Sequence, residues 1–106
     1  MAKYMFEAKY SVEGAKGIAK AGGTARRAAV EKSVASAGGR VETFYFAFGG
    51  RDAIVICDFP DNVSAAAMAL AVNQSGAAST STVVLLTAEE MDAATKKSVS
   101  YQPPGK

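Results

Sequence analysis

Six side chains of this 106-residue chain have types and spacings that could do chemistry together: Glu7, Lys9, Thr43, Tyr45, Arg51 and Asp52. Thr43, Tyr45 and Asp52 fall on one side of two adjoining extended segments. Glu7 and Lys9 face the same space if Tyr4 and Phe6 point the other way, because side chains alternate along a strand. Such a cluster would anchor the polar end of a small ligand. It would also support cofactor-independent acid or base chemistry on a small apolar or aromatic metabolite, with Tyr45, Asp52 or Glu7 moving the proton. The simpler alternative is structural: Arg51 and Asp52 finish a turn through backbone hydrogen bonds or a salt bridge between subunits.

Other chemistry is bounded by what is missing. The chain has no histidine, which removes a His-based acid or base, a Ser-His-Asp triad, a proximal-His haem and most zinc sites. We expect no metal and no cofactor. The single cysteine, Cys57, has no partner for an internal disulfide and lies in the apolar run IVICDF, where a thiol behaves as a small buried hydrophobe. KAGGTARR, residues 20–27, puts two glycines and two arginines at a helix start, as a phosphate site would. It lacks the Gly-Lys-Ser/Thr ending and the preceding strand of a phosphate loop, and a helix break with Thr24 as cap explains it more simply.

A net charge of +2 is too mild to argue for nucleic acid or an anionic membrane. RNA-recognition domains carry exposed aromatics beside basic residues on their third strand. RDAIVICDF has no aromatic before Phe59 and ends acidic, so that reading does not fit. MAKYMFEAKY is interrupted by Lys3, Glu7 and Lys9, unlike a signal peptide or a membrane span, and a free thiol suits a reducing compartment. We expect a cytoplasmic protein. Asn62-Val63-Ser64 matches a glycosylation sequon but in that compartment marks a helix start.

The elements that must position these residues follow from periodicity. KYMFEAKY, residues 3–10, alternates as a strand. Ser11 caps a helical segment that Gly14, Gly17 and Gly22-Gly23 should keep short or irregular as far as residue 21. A firmer helix begins at a Thr24 cap, lines Val30, Val34 and Ala37 along one stripe, pairs Arg27 with Glu31, and exits at Gly38-Gly39. Strands at 40–48 and 52–59 are so close that only an antiparallel hairpin joins them. Asp61 or Asn62 then caps an alanine-rich helix with Val63, Ala66, Ala67 and Leu70 on one side and an exit at Asn73 to Gly76. STSTVVLLT is the fourth strand, and Thr87 with Glu90 has capping-box spacing before AEEMDAATKK. The domain spans residues 1–97, and the proline-containing residues 98–106 form a flexible tail.

This order predicts an α+β, ferredoxin-like βαββαβ fold with a four-stranded antiparallel sheet and an extra C-terminal helix. An even-numbered hairpin turn puts Phe44, Phe46 and Phe48 with Ala53, Val55 and Cys57 under the helices. Val41, Thr43, Tyr45 and Ala47 then share the other face with Asp52, Ile54, Ile56 and Asp58. Leaving Val41, Ile54 and Ile56 in water forfeits about 1.5–3 kcal/mol each, so a second copy of the chain is the expected cover.

AGGRVETFYFAFGGRDAIV, the FPDN helix start with SAAAMALAVNQSGA, and TVVLLTAEEMDAA agree in order and spacing with the GYD domain family, which the chain resembles from about residue 3 to 93. The family's Gly-x-Tyr-Asp motif falls on Gly49, Gly50, Arg51 and Asp52. Arg51 stands at the tyrosine position, so no role of that hydroxyl carries over. The resemblance implies a ferredoxin-like subunit that pairs sheet to sheet as in dimeric α+β barrels, and it implies no particular activity. The expected function is a homo-oligomeric ligand-binding or interaction module with a small, mostly apolar cavity between sheets. Its partners are its own copies and a small molecule, not nucleic acid or membrane.

Overall fold

Strict alternation in AKYMFEAKY gives one strand a greasy side and a charged side, and the rest of the chain is arranged around it. The computed structural model describes residues 1–106 in the order β1 (Ala2–Tyr10), α1 (Val12–Ala21), α2 (Gly23–Ser36), β2 (Arg40–Phe46), β3 (Ala53–Phe59), α3 (Asn62–Ser75), β4 (Ala78–Leu85) and α4 (Ala88–Thr95). All pairings are antiparallel and the strand order is β2-β3-β1-β4, the ferredoxin-like arrangement expected. No helix is long and apolar enough to cross a membrane.

The core forms where α2 and α3 meet the sheet. Tyr4, Phe6, Val55, Cys57 and Phe59 rise from the strands to meet Val34 of α2 and Ala65 of α3. Phe59 receives both Tyr4 and Phe6 edge-on at 6.0 Å, and the Tyr4 hydroxyl donates to Asn62 Oδ1 at 2.5 Å. Val30 and Ala37 extend the expected α2 stripe.

Helix ends follow the predicted chemistry in most places. Ser11 accepts from the Gly14 amide, Asp61 from Ser64, and Thr87 and Glu90 close a reciprocal capping box. Gly38 at φ +83° and Gly76 at φ +77° provide the left-handed exits. Thr24 does not cap α2: the helix starts two residues earlier, with Gly22 at φ +89° as a cap that has no side chain. The preceding segment is not irregular either, since α1 runs unbroken through Gly14 and Gly17. Arg27 and Glu31 do not form the expected ion pair.

Three packing expectations change. The register shifts between Val41 and Thr43, a bulge that turns Val41 to the helix side, where it packs on the core. Both hairpin strands are shorter than expected, and Ala47–Asp52 is the loop, so Phe48 leaves the sheet and is fully exposed. In α3 the face toward the sheet is Ala65, Met68 and Ala69, while Val63, Ala66, Ala67 and Leu70 face out. An alanine-rich helix with apolar residues all round offers two greasy stripes, and the chain buries the one that carries methionine.

Glycine decides the α1 contact. A methyl group on Gly14 would lie 2.0 Å from the Ala77 carbonyl oxygen, whereas one on Gly17 would meet nothing within 4 Å. Gly17→Ala should therefore stabilise the fold by about 0.5–1 kcal/mol through helix propensity, and Gly14→Ala should cost about 1–3 kcal/mol as α1 is pushed off the sheet. Urea midpoints of the two variants, compared at equal m-value, check the opposite signs.

Candidate functional site

The helix-free face of the sheet is organised as an apolar centre between two charged ends. By register, Met5 of β1 lies beside Ile56 of β3 and Val83 of β4, with Ile54 and Leu85 on the same side. Met5, Ile54, Ile56 and Leu85 are half-buried, and Val83 and Tyr45 are exposed at 42% and 69%.

The candidate residues gather at one end of this face. Arg51 Nε donates to Glu7 at 3.2 Å, and Lys9 Nζ stands 3.5 Å from Asp52. The second Asp52 oxygen accepts the Tyr10 amide at 2.8 Å, while the Asp52 amide donates to the Ala8 carbonyl and its carbonyl accepts from Ala47. Asp52 thus ties the hairpin loop to β1 through backbone bonds. Thr43 and Tyr45 share the face but form no hydrogen bond with this cluster. The six residues lie on one surface, and four of them are engaged with one another.

The opposite end carries a group that sequence reasoning did not single out. Asp58, buried in β3, accepts from Lys3 at 2.8 Å and from Arg40 at 3.0 Å, and Lys3 also bridges to Glu42. The Lys3 ammonium first, and Arg40 after it, hold the Asp58 carboxyl below its ordinary 3.8 against the opposing effect of burial. Hydrogen bonds to Asp58 and Glu42 raise Lys3 above its ordinary 10.5. Periodicity places Asp58 on this face with Ile54 and Ile56, but its pairing with Lys3 emerges only when β1 is laid against β3.

The apolar cleft that a single chain forms lies on the helix side. α2 and α3 each pack on the sheet more than on each other, leaving between them a cleft of about 320 Å³. Phe6, Val55 and Cys57 form its floor, Val30 and Val34 line it from α2, and Met68 from α3. Burial, and secondarily the Asp58 charge, pushes the Cys57 thiol up to about 11. Arg26 of α2 stands at one end with its guanidinium carbon 5.8 Å from the centre of the Tyr10 ring. A larger depression along α4, bounded by Glu89, Asp92, Ala93, Lys96 and Lys97, is polar and lies on a helix with no buried residue.

Comparison with known proteins agrees with the resemblance in the sequence. The GYD domain family model matches residues 4–95, and the chain belongs to that family. Neither the curated proteins nor the solved structures give a match.

Two outcomes test the electrostatics of this region. Asp58 is depressed in the folded state, so its contribution is present above its unfolded pKa near 3.8 and is lost as pH falls through the folded value. Melting temperatures should drop below about pH 4, and Asp58→Asn should lower the melting temperature at pH 7 while flattening that acid limb. Cys57 should label with a disulfide reagent at pH 8 at least a hundredfold more slowly than in urea-unfolded chain, because its thiolate is scarce and its sulfur is covered. Labelling at the rate of a free thiol would contradict the burial.

Proposed function

We propose that this GYD domain protein is a self-associating binding module: a second copy covers the helix-free face, and a small, largely apolar molecule is the ligand. The observation that carries the reading is the composition of that face. Met5, Ile54, Ile56, Val83 and Leu85 make a continuous apolar strip, which costs free energy while it faces water. Its occupant is a second copy because both flanks are already neutral. Lys3 and Arg40 balance Glu42 and Asp58 at one end, and Lys9 and Arg51 balance Glu7 and Asp52 at the other. A partner related by two-fold symmetry meets no net repulsion at either end, and the apolar strips meet in the middle.

Ligand binding is supported by a separate feature. Fourteen of the eighteen residues around the helix-side cleft are hydrophobic, and about 320 Å³ lies at the small end of the range for ligand pockets. A cavity between paired sheets, as anticipated from the sequence, would need the second copy. The helix-side cleft needs none.

Sedimentation velocity is the direct measurement. The chain should sediment as a dimer or a larger closed assembly at micromolar concentration, and Ile56→Glu with Val83→Glu should shift it to the mass of one chain without loss of helix content. A wild-type chain that sediments as a monomer would remove the self-association half of the reading.

A further inference from the structure

We propose that the cleft between α2 and α3 is a receptor for a small amphipathic monocarboxylate, its apolar part over Phe6, Val55 and Cys57 and its carboxylate on the guanidinium of Arg26. This rests on the reading above that the chain binds a small molecule, and it assigns that molecule's chemical class.

Arg26 is the only charged residue lining the cleft. Its Nε is shielded from solvent and has no hydrogen-bond partner. The side chain takes part in none of the protein's hydrogen bonds, and no carboxylate lies within salt-bridge distance, although arginine and lysine residues on the helix-free face are paired. Tyr10 offers only its ring face. A shielded guanidinium nitrogen without an acceptor is costly, on the order of 1–3 kcal/mol, and folded chains ordinarily avoid it.

The geometry of the group indicates what would satisfy it. Its two Nη groups, unpaired and not buried, remain the accessible donors, and a guanidinium presents parallel N–H groups that match the two oxygens of a carboxylate. One isolated positive charge balances one negative charge, which selects a monoanion over a phosphate ester whose second charge would find no cation in the cleft. The remaining lining is almost wholly apolar, so the rest of the ligand must be an alkyl chain or a single aromatic ring of modest size. Ser33, Ser75 and Thr80 are the polar exceptions and add no charge. Arg26 also borders a neighbouring depression against α1 that holds Glu13, with which it makes no ion pair; on the cleft side it is a single cation at the end of a greasy slot, the arrangement of a receptor for a molecule with one acidic end.

Isothermal titration of the full-length protein with octanoate, phenylacetate and octanol distinguishes the alternatives. Octanoate should bind at least tenfold more tightly than octanol to the wild-type chain. Arg26→Met, which keeps the aliphatic length, should weaken octanoate about tenfold or more and leave octanol unchanged, and Arg26→Lys should retain part of the preference. Ala71→Trp, at the cleft rim, should weaken both molecules, which ties the binding to this cleft and tests the idea independently of Arg26. Tighter binding of phenylacetate than of octanoate would assign the apolar part to a ring and support the same site. Equal affinity for octanoate and octanol, undisturbed by Arg26→Met, would overturn the carboxylate assignment while leaving an apolar binding module. Octanoate binding that survives Ala71→Trp would overturn the location. Failure of all three probes to bind at millimolar concentration would overturn both this inference and the ligand half of the reading on which it rests.

Discussion

The pairing of β1 with a neighbour on each edge is the constraint on which the structure depends. Tyr4 opposite Cys57 and Phe6 opposite Val55 set the helix-side core, and the same register puts Lys3 opposite Asp58 and Glu7 opposite Ile54 on the other face. Since side chains alternate with a period of two, a slip of one residue would send Tyr4 and Phe6 to the helix-free face and Lys3 into the aromatic cluster. Burying an ammonium unpaired among Phe59 and Val34 is far costlier than any backbone bond regained by the slip. The Lys3–Asp58 pair therefore specifies register as well as contributing to stability, because both charges meet only in this alignment.

The two charged clusters also explain how a sheet with an uncovered face remains well defined. Each lies near an end of the central strands and joins different segments: Lys3, Arg40, Glu42 and Asp58 span β1, β2 and β3, while Glu7 and Lys9 of β1 reach Arg51 and Asp52 of the hairpin loop. An exposed ion pair contributes little by itself, but Asp58 is buried and has two partners. The apolar strip between the clusters is thereby held in register at both of its ends.

Much of this architecture was legible in the residues. Alternation identified β1, and side-chain caps located α1, α3 and α4, because those features depend on neighbours within four positions. What escaped was decided by contacts across the chain. The bulge after Val41 appears only when β2 is laid against β3, and it exchanges one apolar residue between faces. Which stripe of α3 is buried depends on the shape of the sheet beneath it, since Ala65, Met68 and Ala69 differ little in hydropathy from Ala66, Ala67 and Leu70. α2 starts at Gly23 rather than after Thr24, and Gly23 lies against the Phe46 ring, where a methyl group would be only 3.0 Å from Cε2, a contact between distant segments that no local pattern reports.

The same distinction separates the two candidate sites. Tyr45, Asp52 and their neighbours attract attention in the sequence because polar types cluster at a turn, yet in three dimensions Asp52 spends one carboxylate oxygen on the Tyr10 amide and faces Lys9 with the other. Arg26 enters the sequence argument only as one of two arginines in KAGGTARR, where a helix break explained it more simply than a phosphate, and its significance lies in what is absent around it. Only when α2 and β1 come together does the Arg26 guanidinium stand over the Tyr10 ring, with its Nε shielded and no carboxylate in an ion pair with it. A polar group that has been satisfied by folding has little capacity left for a ligand. One that folding leaves unpaired and still accessible retains it, and in this chain that distinction moves the functional argument from the hairpin turn to the cleft under the helices.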